Sequence, residues 1–244
     1  MNLPAGADVL QERLIEELGR EIVDGVLAPG SRLTLGGLQE RFGVSRTVVR
    51  DCMRVLESLR LVYPKRRLGL VVHDPRHWNR YDPRVIAWRL AGPGRQEQFT
   101  ELTQLRIAVE PLAAAGAARL AADEARTRLT DLAGELRRLG EAGDLEGFLA
   151  VDTAFHRLLL EESGNSMFAA LHEVVAEVLA GRTHQGLMPF NPREIALKRH
   201  EEVAAAVAAG DCAAAERHMQ ELVDEVRAAL DAGLHGPHAE TSGA

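Results

Sequence analysis

The sequence predicts a mainly α-helical protein in two parts: a small N-terminal domain that includes a β-hairpin, and a C-terminal bundle of about six helices. Three observations predict this fold. Alanine and leucine abound while aromatic residues make up only 4% of the 244 residues, a composition that favours helices over sheets. Apolar residues recur at spacings of three and four through most of the chain. Two short apolar runs flank a basic turn at 61–73, as in a β-hairpin.

The N-terminal part contains three helical patterns. Apolar residues at helical spacing predict a long amphipathic helix over 8–27, which ends at the Pro-Gly pair 29–30. A short second helix is predicted over 38–42. Gly43 can adopt the positive φ of a tight turn, and the hydroxyl of Ser45 can cap the helix that follows.

The third helix has two different faces. The buried stripe is formed by Val48, Cys52, Val55, Leu56 and Leu59. Arg46 and Arg50 project one turn apart from another face, near the start of the helix. Arginine at this place can donate two hydrogen bonds to guanine or bind a phosphate, which is typical of the recognition helix of a helix-turn-helix protein. For two arginines alone, an ordinary amphipathic helix with a solvated charged face is the alternative.

The apolar strands 61–64 and 68–73 and the basic turn between them have a specific meaning beside a helix-turn-helix. They predict a wing, whose basic residues reach phosphates or a minor groove. A solvated surface hairpin is the alternative. The charge distribution favours nucleic acid, because residues 31–67 carry nine basic and three acidic residues, hence a net charge of +6, although the whole chain has −7.

The remaining chain is predicted to be a linker, a helical domain and a tail. Prolines and tryptophans at 75–95 indicate a linker with a short helix, between a winged helix-turn-helix domain at 1–74 and a helical domain at 96–234. The helices of the second domain are predicted over 97–121, 123–141, 144–163, 165–182, 191–209 and 211–233. The polar segment 235–244 is predicted to be a flexible tail.

Composition also limits the class of protein. No apolar run approaches the ~20 residues that a membrane-spanning helix needs, and the N-terminus lacks the pattern of a signal peptide. The two cysteines, Cys52 and Cys212, lie far apart and do not indicate a disulfide framework. These observations predict a soluble cytoplasmic protein with no membrane partner.

Two sets of motifs, in order along the chain, resemble a known family. The N-terminal part is similar to the winged helix-turn-helix of GntR-type bacterial transcription regulators, over 25–33 and 38–50 and at Leu56 and Leu59. The C-terminal part resembles the helical ligand-binding (FCD-type) domain of the FadR branch. The residues that carry this second resemblance are Leu105, Arg106, Glu110, Pro111, 152–156, 163–165, His200 and 209–211. The linker further resembles that of sugar-acid regulators of the galactonate or gluconate type.

The resemblance implies contacts with double-stranded DNA. The residues expected to make them are Arg32, Ser45, Arg46, Thr47, Arg50, Lys65, Arg66, Arg67 and Gly69. A homodimer is expected to bind an inverted repeat, since the twofold symmetry of the protein is mirrored in its operator. The segment 35–37 departs from the family, many members of which carry charged residues there, so one phosphate or base contact is expected to be missing.

A metal site is the second implication. Asp152 and His156 lie four residues apart on one helix, so their side chains leave the same face; an exposed Asp–His pair is the usual explanation of that spacing alone. The resemblance implies a divalent metal, expected to be Zn, held by Asp152, His156 and His200. The usual fourth histidine is replaced by Leu222. His218 lies one turn earlier and is predicted to be a surface histidine rather than a substitute.

The effector pocket is the third implication. The resemblance places Arg106 in the cavity wall, where its guanidinium can bind an organic carboxylate. The alternative is an Arg106–Glu110 pair on the helix surface. Asn165 either lines the pocket or caps the following helix, and His172 and His184 are lesser candidates.

These observations predict a DNA-binding regulator, more often a repressor in this family, that responds to a small carboxylate such as a sugar acid and is not an enzyme. Two alternatives stay open. One is a metal-dependent hydrolase built on Asp152, His156 and His200. The sequence argues against it, because it indicates no general base besides these metal ligands. The other is a DNA-binding protein that responds to no effector.

Overall fold

The computed structural model describes residues 5–184 and 194–234, and the chain divides into two compact units, Met1–Gln98 and Phe99–Ala244. The elements of the first unit are α1 (Ala5–Val23), β1 (Arg32–Leu33), α2 (Leu35–Phe42), α3 (Arg46–Ser58), β2 (Val62–Lys65), β3 (Gly69–Val72), a 3-10 turn (Pro75–His77) and α4 (Pro83–Ala91). The helices that follow are α5 (Arg95–Leu120), α6 (Asp123–Ala142), α7 (Leu145–Glu161), α8 (Ser166–Ala169), α9 (His172–His184), α10 (Glu194–Ala209) and α11 (Cys212–Leu234). The mainly helical fold predicted from the sequence is confirmed.

An apolar core joins the elements of the first unit. Its fully buried residues include Leu14, Leu18, Ile22, Val49, Cys52, Leu56, Leu61, Val62, Val72 and Val85. Helix α4, which the sequence placed in a linker, contributes Trp88 to this core. The Trp88 ring lies directly over Gly19 of α1, and its Nε1 donates a hydrogen bond of 2.7 Å to Glu16 Oε2. Burial raises the pKa of the Cys52 thiol to about 12, so this cysteine is a core residue and not a reactive one.

Local capping determines the turn between α2 and α3. The Thr34 hydroxyl accepts a hydrogen bond of 3.1 Å from Gly37 N, so α2 begins at Leu35 rather than at the predicted residue 38. Gly43 ends α2 in the left-handed conformation, with φ 63°. Ser45 then caps α3 as predicted, with its Oγ 3.4 Å from Val48 N.

The sheet of the first unit has three antiparallel strands in the order β1-β3-β2. The predicted hairpin is β2 and β3, with Lys65 paired to Gly69 across its turn. The sequence did not predict β1, because two residues are too few to form a recognisable alternating pattern. Gly69 has φ +87°, and a Cβ there would lie 2.5 Å from the carbonyl oxygen of Leu33 in β1. Only glycine therefore allows the wing to pack against β1.

The helices of the second unit enclose a core of their own. Its fully buried residues include Ala114, Ala117, Leu132, Leu136, Phe155, Val203, Val207, Met219 and Val223. Arg126 of α6 connects the C-terminal ends of α5 and α10. Its guanidinium donates hydrogen bonds to the carbonyl oxygens of Ala118 and Ala121 at the end of α5 and of Val207 in α10. Such carbonyls lack intrahelical partners at a helix C-terminus.

The prediction of one continuous helix over 165–182 was wrong. The segment 165–182 forms two helices, α8 and α9, because the His172 ring lies 2.9 Å from the Ala169 carbonyl that a continuous helix would use internally. The predicted tail 235–244 and the first residues of the predicted helix 191–209 lie outside the described residues. None of the helices that the structure describes is long and apolar enough to cross a membrane.

The wing contact yields a test with a matched control. We expect Gly69→Ala to lower the free energy of unfolding of the first unit by about 2 kcal/mol, since the added Cβ meets the Leu33 carbonyl and the backbone φ is positive. Gly36 in α2 has open space around its Cα, so Gly36→Ala should be neutral or stabilise by about 0.5 kcal/mol. Urea unfolding followed by tryptophan fluorescence measures this, because Trp78 and Trp88, the only tryptophans, both lie in the first unit. Equal effects of the two substitutions would contradict the assigned contact.

Candidate functional sites in the two units

The first unit presents a group of exposed basic side chains without acidic partners. These residues are Arg32, Arg46, Arg50, Lys65, Arg66 and Arg67. Within the described part of the chain, none of them has a carboxylate within salt-bridge distance. They come from β1, the first turn and a half of α3, and the hairpin turn. Thr47 is also exposed, and the hydroxyl oxygen of Ser45 is already used in capping α3.

Two arginines on α2 and α3 differ from this group because they are paired. Arg41 of α2 contacts Glu17 at 3.1 Å and also Glu21, and Arg54 of α3 contacts Asp51 at 3.1 Å. Five cations without a carboxylate partner thus lie together in the sequence, at the start of α3 (Arg46 and Arg50) and in the wing (Lys65, Arg66 and Arg67). Positive charge that the protein itself does not neutralise is what phosphate binding requires.

The second unit contains a buried polar cluster formed by Asp152, His156 and His200, which are 5%, 2% and 4% exposed. Asp152 and His156 lie one turn apart on α7, and His200 comes from α10. His200 Nε2 lies 3.0 Å and His156 Nε2 3.4 Å from Asp152 Oδ1. One ligand atom from each of the three residues lies within 4.8 Å of the others. The sequence-predicted trio is therefore brought together.

The orientation of both rings suits a metal ligand. His200 Nδ1 lies 2.7 Å from the Ala196 carbonyl oxygen, which fixes a proton on Nδ1 and leaves Nε2 to face Asp152. His156 Nδ1 lies 3.0 Å from Glu110 Oε2, a close contact although its direction is poor for a hydrogen bond. In divalent metal sites, the histidine ring nitrogen that does not bind the metal usually contacts a carboxylate or a carbonyl oxygen, as in these two rings. The donor set of one carboxylate and two imidazoles fits Zn and leaves coordination positions open.

Arg106 and Glu110 lie next to this cluster on α5, and both are only 2% exposed. Arg106 Nε and Nη2 donate to the two Glu110 oxygens at 2.6 and 3.1 Å. The predicted Arg106–Glu110 pair thus exists, but it is buried and does not lie on the helix surface. Arg106 Nη2 is also 3.4 Å from His156 Nε2, whereas Arg106 Nη1 is buried without a hydrogen-bond partner among the described residues. The buried hydroxyl of Thr103, one turn earlier on α5, likewise lacks one.

The charges of this cluster shift its pKa values. Burial by itself raises the pKa of Glu110, but the charges of Arg106 and His156 outweigh burial and lower that pKa to about 2. Burial opposes ionisation of Asp152 as well, yet its contacts with His156 and His200 hold its pKa well below the usual range. Burial lowers and the two carboxylates raise the pKa of His156, with a net increase. Both carboxyl groups of the site, Asp152 and Glu110, are therefore carboxylates at neutral pH.

Arg182 of α9 is a further charged residue, near this cluster, that the sequence analysis did not consider. The buried positions of α9 are Val174, Val175, Val178 and Leu179. Arg182 falls in the middle of the same arc, since each helical residue turns by about 100°. Burial and the charge of Arg106 lower the pKa of Arg182 to about 10, while Asp152 and Glu110 act in the opposite direction. A charged residue at a position where the helical period expects an apolar one was the available indication.

The other predicted residues lie apart from this cluster. Asn165 is exposed and its side chain accepts from Met167 N at 2.9 Å, so of its two proposed roles it performs the capping of α8. His184 is exposed, 3.5 Å from Glu146. Leu222, at the position of the missing fourth histidine, is buried in the apolar core.

His218 belongs to a different group. It lies 3.3 Å from Glu202 and 3.4 Å from Glu221, and all three side chains are partly buried. Arg199 also contacts both carboxylates, and therefore supplies a counter-charge at that place. His218 is thus not a replacement ligand for the cluster on α7.

Comparison with family models gives one match for each unit. Residues 10–72 match the model described as bacterial regulatory proteins, gntR family, and residues 101–225 match the FCD domain. The first match contains α3 and the wing, and the second contains every residue of the buried polar cluster.

Curated proteins with similar sequences are transcription regulators. The chain is 30% identical to the uncharacterized HTH-type transcriptional regulator YieP of Escherichia coli over 86% of this chain and 90% of that protein. It is 28% identical to the galactonate operon transcriptional repressor of E. coli over 68% of this chain and 72% of that protein. It is 30% identical to the uncharacterized HTH-type transcriptional regulator Rv0494 of Mycobacterium tuberculosis, over 87% and 86%.

Solved structures share the fold. The Listeria monocytogenes regulator Lar superposes with a TM-score of 0.63 at 18% identity, covering 95% of this chain and 99% of that one. E. coli McbR/YncC superposes with a TM-score of 0.54 at 21% identity, covering 93% and 99%.

The buried ion pair yields a stability prediction. We expect Glu110→Gln to lower the free energy of unfolding of the second unit at pH 7 by about 3 kcal/mol, because it leaves the Arg106 charge buried and unpaired. The pKa of Glu110 is lower in the folded state, so its stabilisation is full above about 4.5 and is lost as the pH falls toward about 2. The difference between the variant and the wild type should therefore shrink across that window. Urea unfolding followed by circular dichroism measures it.

Arg157 and Glu161 provide the matched control, because they have the same i, i+4 spacing with 2.7 Å between Nε and Oε1 but lie exposed on α7. Glu161→Gln should change stability by less than about 0.5 kcal/mol. An effect of Glu110→Gln no larger than that of the control, or one independent of pH below 4.5, would contradict the assigned role.

Proposed function

The chain belongs to the GntR family of bacterial transcription regulators and carries an FCD domain, and from this premise we propose that it is a homodimeric, effector-controlled repressor. It binds an inverted repeat in double-stranded DNA through its first unit. A small carboxylate such as a sugar acid binds in its second unit, together with a divalent metal, and changes its affinity for the operator. Such a regulator acts in the cytoplasm.

The unpaired basic group supports the DNA half of this proposal. Arg46 and Arg50 lie exposed at the start of α3, and Lys65, Arg66 and Arg67 lie exposed in the wing. We assign base contacts to the two α3 arginines, together with Ser45 and Thr47, since a recognition helix contacts base edges with its N-terminal residues. We assign phosphate or minor-groove contacts to the wing, including the backbone at Gly69, and a phosphate contact to Arg32.

The Nη1 of Arg106, which has no hydrogen-bond partner in the part of the chain that the structure describes, is the observation that carries the effector half. Burying a guanidinium nitrogen without an acceptor lowers the stability of the folded state. Glu110 contacts only Nε and Nη2 of Arg106 and leaves Nη1 without an acceptor. A carboxylate oxygen of an effector would satisfy that nitrogen. The nearby Thr103 hydroxyl, also buried and unpartnered, would accept or donate a hydrogen bond to a hydroxyl of a sugar acid.

A metal fits the same site. Asp152, His156 and His200 would hold it, and when bound it supplies a Lewis-acidic contact for ligand oxygens. Glu110 and the Ala196 carbonyl hold the two imidazoles from behind. Effector binding then biases the second unit toward one conformation, and coupling to DNA binding need only amount to ~1–3 kcal/mol.

The two alternatives fare differently. The relatives are transcription regulators and not enzymes, which removes the metal-dependent hydrolase. A DNA-binding protein that responds to no effector leaves the orphan Nη1 of Arg106 unexplained, and it is kept as an outcome of the experiment below.

The first test concerns DNA. Selection from a random duplex library should recover an inverted repeat. Arg46→Ala and Arg50→Ala should then each weaken binding to that repeat by about tenfold or more, because each loses a base or phosphate contact. Binding should also depend less on salt when all three wing cations are substituted with alanine. The negative slope of log Kobs against log salt should become smaller in magnitude by up to about 3. Gel-shift titrations at several salt concentrations measure both effects.

Arg138→Ala is the control, since Arg138 is equally basic but exposed on α6 of the second unit. It should bind the repeat as the wild type does. Recovery of no repeat, or wild-type binding by the Arg46 and Arg50 variants, would refute the assigned DNA-binding face.

The second test concerns the effector and the metal. We expect sugar acids to raise the melting temperature of the zinc-loaded protein, because a ligand that binds the native state stabilises it by mass action. Arg106→Lys keeps the charge beside Glu110 but loses the fork, so it should abolish the shift while the protein stays folded. His156→Ala should lose bound zinc by elemental analysis, whereas His218→Ala should retain it.

The outcomes separate the parts of the proposal. A shift that persists after metal removal would mean that Arg106 acts without a metal. Zinc content unchanged in His156→Ala would refute the metal site. If no acid shifts the melting temperature or changes operator affinity, the effector-independent alternative is correct.

A further inference from the structure

We propose that Arg182 is a second anion-binding residue of the effector site, so that the preferred effector carries two acidic groups rather than one. This inference rests on the effector function proposed above and specifies its ligand class. The shared chemistry is a sugar-derived acid with a second negative group, either a carboxylate or a phosphate.

The position of Arg182 supports this role. It lies in the middle of the buried arc of α9, the helix whose apolar residues pack in the second unit beside α7. His184, two residues after Arg182, lies 3.5 Å from Glu146 at the start of α7, and Leu179, one turn before Arg182, belongs to a buried cluster with residues of α5 and α7. The partly buried Arg182 therefore lies beside the helices that carry Arg106 and Asp152, and its charge interacts with theirs. Arg182 is itself partly exposed, so an anionic ligand that enters the site can reach its guanidinium and neutralise it.

The acidic groups of the site are already used by others. Both oxygens of Glu110 bind Arg106, and Asp152 contacts His156 and His200. Among the described residues, none places a carboxylate within salt-bridge distance of Arg182. Its guanidinium remains protonated at neutral pH even with a lowered pKa.

The arginines offer two separate donors. Arg106 has one free nitrogen, Nη1, on α5, and Arg182 has its fork on α9. The charges of the two arginines repel, as the effect of Arg106 on Arg182 indicates. One acidic group on each arginine neutralises both donors.

Net charge leads to the same ligand class. The charges of Arg106 and Arg182 balance those of Glu110 and Asp152. A divalent cation held by Asp152, His156 and His200 would add two positive charges, which a ligand with two acidic groups would balance better than a ligand with one.

The test compares three acids on the zinc-loaded full-length chain by isothermal titration calorimetry. Gluconate has one carboxylate, glucarate has a second carboxylate at the far end of the same carbon chain, and 6-phosphogluconate has a phosphate there. We expect glucarate, 6-phosphogluconate or both, each of which has two acidic groups, to bind about tenfold more tightly than gluconate, and the tighter of them identifies the second group. Arg182→Gln should remove this difference and leave gluconate affinity within about twofold of the wild type.

Two further variants separate recognition from structure. Arg182→Lys keeps the charge and should retain part of the preference for the acid with two acidic groups. Arg157→Gln, an exposed control, should not alter that preference. Arg182→Gln should melt at or above the wild-type temperature without ligand, because it removes a charge that has no counter-ion among the described residues.

The possible failures are distinguishable. The role of Arg182 alone would be overturned if the wild type bound gluconate, glucarate and 6-phosphogluconate with equal affinity. It would also be overturned if Arg182→Gln lost affinity equally for all three acids. Binding of none of the acids to the wild type would overturn the effector proposal and this inference together.

Discussion

The carboxylate of Glu110 is the group on which the second unit depends. It binds the Arg106 guanidinium with both oxygens and also lies beside His156, so it connects α5 to α7 through charge. Without it, Arg106 would be a buried cation and His156 would lose the partner behind its ring, both of which are costly in a low-dielectric interior. By holding Nε and Nη2, Glu110 also determines which nitrogen of Arg106 stays free. Structure and ligand recognition therefore share the same atoms.

The first unit separates these tasks. Its stability comes from an apolar core under α1, α3 and the sheet, from helix caps at Thr34 and Ser45, and from the close contact at Gly69. Its exposed cations at the start of α3 and in the wing contact no carboxylate of the described residues, so their loss costs little stability. An acidic chain can still bind DNA in this way, because the local charge of the contacting face matters and not the total of −7.

Several predictions from the sequence were accurate because they depended on local rules. The Ser45 cap, the turn at Gly43 and the apolar stripe of α3 follow from neighbouring residues, and the structure confirms them. The pairing of Asp152 with His156 followed from helical spacing. Where a long-range or side-chain contact intervened, the prediction was wrong or incomplete: His172 interrupts the expected helix 165–182, and β1 is a strand only because β3 lies beside it.

By itself, the sequence determined the mainly helical fold, the elements of the winged unit and the residue types of both candidate sites, since periodicity, capping and charge patterns act over a few neighbouring residues. Only the tertiary structure decided that Arg106 and Glu110 are buried, that His200 meets Asp152 and that His218 belongs to another cluster. These facts depend on how α5, α7, α9 and α10 pack. Burial and the distance between charges come from that packing, and together they decide whether a charged side chain is a solvated surface group or part of a binding site.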